Sequence, residues 1–340
     1  MLTPQVSENS SEVRVTSFAL VASIILGVGI GTLSPKLGAS LGNYLDHTLI
    51  ALVSLLFFGV RWDALSQLAQ KHNLYFVGIA LVANFVLLPV IGYAVASVFL
   101  ADYPLLMVGL VIYFMAPCTD WFLSFTRMSQ GNVALGSTLI PINMLVQLLL
   151  YPVYLQVFAG QAVQIELSTI GFALVQWFLL PLVLAVVLRQ ALKLLLKPHR
   201  TVQFNSILSS ADNSTMWLTA LLVLQVFGAN VPTIREHLGV FIWLLLAVVT
   251  FFVLNWLLSH TLSKVFRLRF SDYALLAMTM ASRNAPLMLA VTIVVIPDQP
   301  MIYGALVVGM LVEIPHLTLL RHLLLRRAES TSAGDLEAQY

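Results

Sequence analysis

Two apolar stretches of the sequence are each interrupted by a short polar segment that contains proline. The first segment reads Met115-Ala-Pro-Cys-Thr-Asp-Trp121, and the second reads Met280-Ala-Ser-Arg-Asn-Ala-Pro286. A proline inside a helix removes one backbone hydrogen bond and clashes with the preceding turn, so each segment predicts a helix that stops and restarts. The restarted helix presents unpaired N–H groups and a partial positive charge, which attract anions and hydroxyl-rich solutes.

The polar side chains of these segments predict a binding site, because such groups are costly inside a membrane unless they face protein or water. We predict that Cys118, Thr119, Asp120, Arg283 and Asn284 bind a substrate. Asp120 and Arg283 are expected to pair, or to share a water cluster, where the two interrupted helices approach each other. The alternative is that each proline merely kinks its helix and that Cys118 is an inert small hydrophobe.

Further polar residues stand alone in apolar runs. Asn143 follows a proline, and we assign it to the substrate site, although an isolated amide can also simply join two helices. Glu313 and His316 are three residues apart, so they share a helix face and can form a hydrogen bond. Both groups can take up and release a proton, which makes them candidate proton carriers. The alternative for Glu313 is that it caps a kinked helix or pairs with a basic residue.

The composition excludes most other classes of protein. The chain has 340 residues, of which 59% are hydrophobic and 9% charged, and its mean hydropathy is +0.93. Soluble domains carry about 25% charged residues, so a soluble enzyme, a nucleic-acid binder, a disordered chain and a disulfide scaffold are all excluded. One cysteine rules out an internal disulfide and a metal site with several cysteines. With no nucleophile–base pair or cofactor motif, we expect neither enzyme activity, nor a cofactor, nor a resident metal.

A window of about 19 residues identifies ten apolar runs that are candidate transmembrane helices. They lie near Thr16–Ser34, Leu45–Val60, Leu74–Leu100, Leu105–Met128, Val133–Ala159, Ile165–Leu192, Ser214–Gly228, Leu238–Ser263, Tyr273–Ile296 and Met301–Leu325.

Ten crossings place both termini on the same side of the membrane. Fourteen of the 17 Lys and Arg residues then lie on that side and two, Lys36 and Arg235, on the other, with Arg283 inside a span. Since cytoplasmic loops are rich in Lys and Arg, we expect a multi-pass protein of the cytoplasmic (inner) membrane whose termini are both cytoplasmic.

The fold class predicted is an all-α polytopic membrane protein with an inverted five-plus-five repeat and interrupted helices in spans four and nine. An odd number of spans per half gives the halves opposite orientation, a layout common in secondary transporters. We predict a cytoplasmic leader at 1–15, a first repeat at 16–160, a second inverted repeat at 161–327 and a disordered cytoplasmic tail at 328–340.

These motifs, in this order, resemble the bile acid:sodium symporter superfamily, and within it most closely the arsenical-resistance (arsenite efflux) permeases. Ala116-Pro117-Cys118-Thr119 resembles the Ala-Pro-Cys-Thr of span four in those permeases. Gln130-Gly131-Asn132 and Ile142-Asn143 resemble their next two motifs, and Leu311-Val312-Glu313-Ile314-Pro315 resembles the Leu-Val-Glu-Val-Pro of span ten. The resemblance extends over roughly residues 15–325.

The resemblance implies a core domain (spans three to five and eight to ten) that moves against a panel domain (spans one, two, six and seven). It implies that Cys118 is a thiolate ligand for trivalent arsenic, a soft centre that prefers sulfur, and that Glu313 takes part in transport. In the symporter branch, two sodium ligands would fall at the positions of Phe122 and Leu123, and a further sodium ligand near the position of Arg283. A fixed cation disfavours sodium, so we expect proton coupling, or no sodium coupling.

The sequence therefore predicts a secondary transporter that expels arsenite or a related metalloid oxyacid by alternating access. Its partners would be that small solute, protons and the lipid bilayer, with no nucleic acid. A first alternative is transport of a small organic anion with Arg283 as the counter-charge. A second is a receptor or scaffold that keeps the fold without transport.

Overall fold

The structure is a computed structural model that describes residues 4–60, 64–66, 71–118, 121–159, 171–172, 175–195, 201–231 and 238–337. In these residues the regular structure is helical, and the β pairing there is limited to one isolated bridge. The α-helices are α1 Pro4–Leu33, α2 Pro35–Gly42, α3 Leu45–Gly59, α4 Lys71–Val82, α5 Leu88–Leu100, α6 Pro104–Phe114, α7 Phe122–Met128, α8 Val133–Tyr154, α9 Leu180–Leu195, α10 Thr201–Ala229, α11 Phe241–Val265, α12 Phe270–Ala281, α13 Ala285–Val295 and α14 Pro300–Glu337. Turns of π-helix occupy Ala83–Leu87, Leu155–Ala159 and Val175–Leu179.

Several described helices are long and apolar enough to cross a membrane. They are His72–Leu100, Val133–Phe158, Phe241–Val265 and Pro300–Ala328, and the bent pair α2 and α3 makes a fifth if it counts as one span. Other apolar helices have only 10–17 residues. Two of them, α6 and α13, are short because each is one half of an interrupted run. The all-helical membrane architecture is therefore confirmed, while the ten crossings and the inverted repeat stay predictions.

Helix extends into both terminal segments that the sequence placed outside the repeats. α1 begins at Pro4, within the predicted leader, and α14 continues to Glu337, past the predicted start of the disordered tail at 328. Extending an existing helix costs far less than nucleating one, so a long apolar helix readily continues into a polar end.

The helices pack into two groups. In the first group, α1, α2 and α9 pack with α3 and α10; in the second, α4 to α8 pack with α11 to α14. Small residues allow the close approach in the first group: a Cβ at Gly27 would lie 3.1 Å from the backbone nitrogen of Gly228, and one at Gly31 would clash with the Gly228 carbonyl. The groups meet where α14 touches α1 and α10, and where α13 touches α3.

The two proline-containing segments do interrupt their helices. α6 ends at Phe114 and α7 begins at Phe122, and α12 ends at Ala281 while α13 begins at Ala285 with Pro286 at its second position. Proline fits the first turn of a helix because its missing N–H needs no partner there. Both breaks lie in the second group of helices.

Candidate functional site

The two breaks cross each other and pair through their backbones. Pro117 and Arg283 form an isolated antiparallel bridge. The Cys118 amide donates to the Ser282 carbonyl at 3.0 Å, and the Asn284 amide donates to the Ala116 carbonyl at 2.8 Å. Inside a bilayer, backbone groups freed from a helix need partners in the protein, and here each break supplies them to the other. Four half-helix ends therefore meet at one place.

Arg283 caps the carboxyl ends of the two half-helices that stop at this place. Its guanidinium donates to the Phe114 carbonyl at 2.8 Å, at the end of α6. It also donates to the Thr279 carbonyl at 3.0 Å and to the Met280 carbonyl, both in the last turn of α12. A cation at the carboxyl end of a helix is favourable because that end carries partial negative charge. One buried side chain thus neutralises two helix ends.

Asn84 supplies the remaining oxygen around the guanidinium. Its Oδ1 accepts from Arg283 at 3.2 Å, and its Nδ2 donates to the Thr279 hydroxyl at 3.4 Å. Asn84 lies in the π-helical turn Ala83–Leu87, just before Pro89. Pro89 cannot donate to the carbonyl four residues earlier, that of Phe85, and the Tyr154 hydroxyl donates to that carbonyl instead, at 2.5 Å. The widened turn and its external partner position the Asn84 amide.

Glu313 connects both breaks to α14. Its Oε1 accepts from the Trp121 indole at 2.8 Å and from the Arg283 backbone amide at 2.9 Å. Its Oε2 accepts from the Tyr113 hydroxyl at 3.1 Å. The carboxylate is fully buried, and hydrogen bonds to charged groups are stronger than those between neutral ones. A single acidic group on the last helix therefore holds the two interrupted spans together.

Close packing of α6 against α14 positions Tyr113 for this contact. A Cβ at Gly309, one turn before Glu313, would lie 2.6 Å from the Tyr113 ring. Only a residue without a side chain leaves room for the ring here. The aromatic ring and the carboxylate thus share one face of α14.

Cys118 lies in the first break, directly after Pro117, and is fully buried. The amino ends of α7 and α13, whose partial charge is positive, begin close to the crossing in sequence, at Phe122 and Ala285. The first break therefore places a soft sulfur ligand at the crossing of the two interrupted helices.

The structure brings most of the predicted site residues into one region. Arg283, Asn284 and Cys118 form the crossing itself, and Asn143 reaches it from α8 through a contact of 3.4 Å with the Thr279 hydroxyl. Thr119 and Asp120 lie outside the described residues, so the predicted pairing of Asp120 with Arg283 stays a prediction.

Glu313 and His316, which share a helix face and could form a hydrogen bond, do not form one in the structure. Both oxygens of Glu313 accept from other residues, and the His316 ring stacks on Phe252 with their centroids 4.1 Å apart. His316 Nε2 has no partner among the residues that the structure describes. Two residues on one helix face can form a contact but need not do so. Here the Glu313 carboxylate accepts its hydrogen bonds from Tyr113, Trp121 and the Arg283 backbone instead.

Sequence reasoning missed Asn84, Tyr113 and Trp121 as members of the site. In the sequence, Asn84 is indistinguishable from an isolated amide that packs between helices, and Trp121 from an aromatic residue of the membrane interface. The one local signal for Asn84 was Pro89, five residues later, which predicts a disturbed helix at that point. Tyr113 and Trp121 flank the first break, yet their partner lies on α14, about 200 residues away in sequence.

Acidic, histidine and cysteine side chains do not gather into a metal site in the described part of the chain, where no group of three or more such residues is found. The described residues supply the crossing with hydrogen-bonding groups, a buried carboxylate, a guanidinium and one thiol.

Comparison with known proteins agrees with this architecture. The model of the sodium bile acid symporter family matches residues 48–237, which include the first break and end before the second. The arsenical-resistance protein Acr3 of Corynebacterium glutamicum is 26% identical over 313 residues, covering 88% of this chain and 84% of the relative. The family match extends over more than half of the chain, and with the apolar helices it identifies a multi-pass membrane protein. The chain belongs to the sodium bile acid symporter family.

Proposed function

We propose that this protein is a secondary transporter that expels arsenite, or a related metalloid oxyacid, from the cytoplasm by alternating access with protons as the coupling ion. The observation that carries the proposal is the position of Cys118, the single cysteine, in a broken span that is paired backbone to backbone with a second broken span. Interrupted helices near the middle of the membrane are a common site for cargo in secondary transporters.

Trivalent arsenic is a soft centre, and thiolate is the soft ligand that proteins offer. One thiolate holds arsenic less firmly than several would, which suits a protein that must release its cargo. The similarity to an arsenical-resistance protein supports the same substrate class.

The division into two groups of helices supports alternating access. The crossing belongs entirely to the group of α4 to α8 and α11 to α14, and α13 and α14 form much of the contact with the other group. Movement of one group against the other would therefore open the crossing to either side of the membrane. We expect both termini on the cytoplasmic side of the inner membrane, in line with the distribution of Lys and Arg.

Glu313 supports proton coupling. Its carboxylate joins Trp121, Tyr113 and the Arg283 backbone, so gain of a proton would weaken the contacts that hold the two breaks together. The carboxyl ends of α6 and α12, where a transporter can bind a soluble cation, already face the Arg283 guanidinium. A resident cation there supports transport without sodium.

The geometry supports arsenite over a small organic anion. The terminal nitrogens of Arg283 donate to three carbonyls and to the Asn84 amide oxygen, so the counter-charge for an anion would have to abandon those partners. An uncharged oxyacid needs no such counter-charge.

Flux into proteoliposomes that contain the purified protein tests the proposal. Arsenite, antimonite and an organic anion such as a bile acid are each supplied with an imposed pH gradient, with a sodium gradient, and with neither. We expect arsenite accumulation that depends on the pH gradient and ignores sodium. Sodium-driven uptake of the organic anion alone would refute the proposal, and no flux of any solute would favour a receptor or scaffold.

A further inference from the structure

One face of α8 carries three buried polar side chains. Asn143, Gln147 and Tyr151 are four residues apart in succession, so they stand above one another on the same side of the helix. At most 2% of each residue is exposed. The opposite face is apolar and exposed, as with Leu149 and Val153.

The first and last members of this face contact the interrupted span nine. The Asn143 amide lies 3.4 Å from the Thr279 hydroxyl, before the break, and the Tyr151 hydroxyl lies 3.1 Å from the Thr292 hydroxyl, after it. Gln147 is midway between them on α8. Its side chain therefore faces the part of span nine between these two threonines, which contains the break and the amino end of α13.

Several polar atoms in this region have no hydrogen-bond partner in the described ranges. They are both amide atoms of Gln147, the Oδ1 of Asn143 and the Oγ of Ser282, which lies in the break. Native proteins keep few such atoms, and a cluster of them requires an explanation. Joining of helices does not explain Gln147, because an amide in that role would bond to the neighbouring helix.

We propose that this face of α8 is the part of the cargo site that recognises hydroxyl groups. Gln147 both donates and accepts hydrogen bonds, and Asn143 Oδ1 and Ser282 Oγ accept them, which matches hydroxyl groups that do the same. None of the three side chains is charged, so the ligand class is a small uncharged solute with several hydroxyl groups. The identification of that solute with arsenous acid, which is uncharged near neutral pH, rests on the proposed function.

Two parts of the protein would then contact the solute. Cys118 would bind the arsenic atom from the first break, and α8 would bind its hydroxyl groups. Substitution of Gln147 by methionine, which has a similar shape and no amide, removes only the second contribution. Gln176, an exposed amide in the turn Val175–Leu179, offers a matched control.

Thermal unfolding of the purified full chain tests the inference with two probes, arsenite and boric acid, the second being an uncharged trihydroxy acid without affinity for thiols. We expect Gln147→Met to raise the melting temperature without ligand, because it removes unpartnered buried amide atoms. We expect the dissociation constant for arsenite to rise about tenfold or more, equivalent to about 1.4 kcal/mol. Gln176→Met should leave the dissociation constant unchanged.

The outcomes separate this inference from the proposed function. Boric acid but not arsenite stabilising the wild type, with the effect lost in Gln147→Met, would uphold the hydroxyl site and reject arsenite as cargo. The inference would be overturned if neither probe stabilised the wild type. It would also be overturned if the wild type and Gln147→Met had equal dissociation constants for arsenite. Should Gln147→Met fail to fold, Gln147→Asn, which shortens the side chain and keeps the amide, must still weaken binding; unchanged binding overturns the inference.

Discussion

Glu313 is the acidic residue that contacts both interrupted spans at the crossing. Its two oxygens accept hydrogen bonds from Trp121, Tyr113 and the backbone of Arg283, which belong to both interrupted spans. A carboxylate can accept all three bonds, whereas a protonated carboxyl group carries a donor in place of one acceptor site. The protonation state of one side chain can therefore change how tightly the breaks are held.

We expect Glu313→Gln to separate transport from folding. Glutamine keeps the size and one acceptor oxygen but cannot release a proton, so arsenite accumulation driven by a pH gradient should fall to the level of empty vesicles. Thermal unfolding of the purified variant should still show a folded protein.

Asp102→Asn, an exposed carboxylate between α5 and α6, is the control and should transport like the wild type. Uphill arsenite accumulation by Glu313→Gln would reject Glu313 as the proton carrier.

The sequence predicted which residues meet at the crossing better than it predicted their hydrogen-bond partners. Cys118, Arg283, Asn284 and Glu313 were identified from proline-containing breaks and from charge inside apolar runs. Their contacts were not, because each partner lies on another span and no local pattern encodes which helix face meets which. For the same reason, the sequence did not show that Glu313 contacts other helices and not His316.

The carboxyl ends of the half-helices α6 and α12 depend on Arg283 for their hydrogen bonds. Arg283 donates to the carbonyls that α6 and α12 leave unpaired where they stop. Its removal would leave those carbonyls buried without partners, at a cost of about 1–3 kcal/mol for each group. A cation between the breaks therefore stabilises them.

We expect Arg283→Ala to lower the melting temperature, and millimolar guanidinium chloride to restore part of the loss. The free guanidinium ion has the same planar donors as the missing side chain, and this concentration is far below that which denatures proteins. The wild type, whose site is filled by Arg283, should show no stabilisation. An Arg283→Ala protein as stable as the wild type would contradict the capping role.

Gly309 tests how close packing of α6 and α14 positions the site. We expect Gly309→Ala to push the Tyr113 ring away from Glu313, because the new methyl group would lie 2.6 Å from the ring. Overpacking of this kind costs about 1–3 kcal/mol, and transport should fall with it.

Gly78→Ala is the matched control, since a Cβ there meets nothing within 4 Å. It should leave the melting temperature unchanged or raise it slightly, because alanine is the better helix former. Equal behaviour of the two variants would show that Tyr113 is not held by this contact.

The prolines made the two helix interruptions predictable from the sequence. Pro117 and Pro286 marked the two breaks, and the helices end shortly before them, at Phe114 and Ala281. The π-helical turn at Ala83–Leu87 was not predicted, although Pro89 lies directly after it. A proline can kink, widen or end a helix, and the choice depends on whether a neighbour such as Tyr154 accommodates the freed carbonyl.

The topology of the whole molecule in the membrane gives a further prediction. Ten crossings with cytoplasmic termini place Lys36 outside the cell and Lys264 inside it, and both side chains are exposed. In a Cys118→Ser background, a membrane-impermeant maleimide should label Lys36→Cys in intact cells. It should label Lys264→Cys only after the membrane is permeabilised. Equal labelling of both positions in intact cells would refute the arrangement.

The packing of the helices into two groups agrees with the core and panel domains that the family resemblance implied. The apolar runs could be identified from the sequence. The division of the helices into two groups was implied only by the family resemblance, because composition alone does not say which spans are neighbours. Gly27 and Gly31 of α1 allow close packing against α10, whereas a Cβ at Gly29 would meet nothing within 4 Å.

The most direct test of the account is arsenite resistance conferred by Cys118→Ser in an arsenite-sensitive bacterial host. Serine keeps the size of the side chain and the backbone pairing with Ser282 but removes the soft ligand. With wild type and variant present at equal levels in the membrane, we predict that the wild type confers resistance and that Cys118→Ser leaves the host as sensitive as the empty vector. Undiminished resistance with Cys118→Ser would contradict the account.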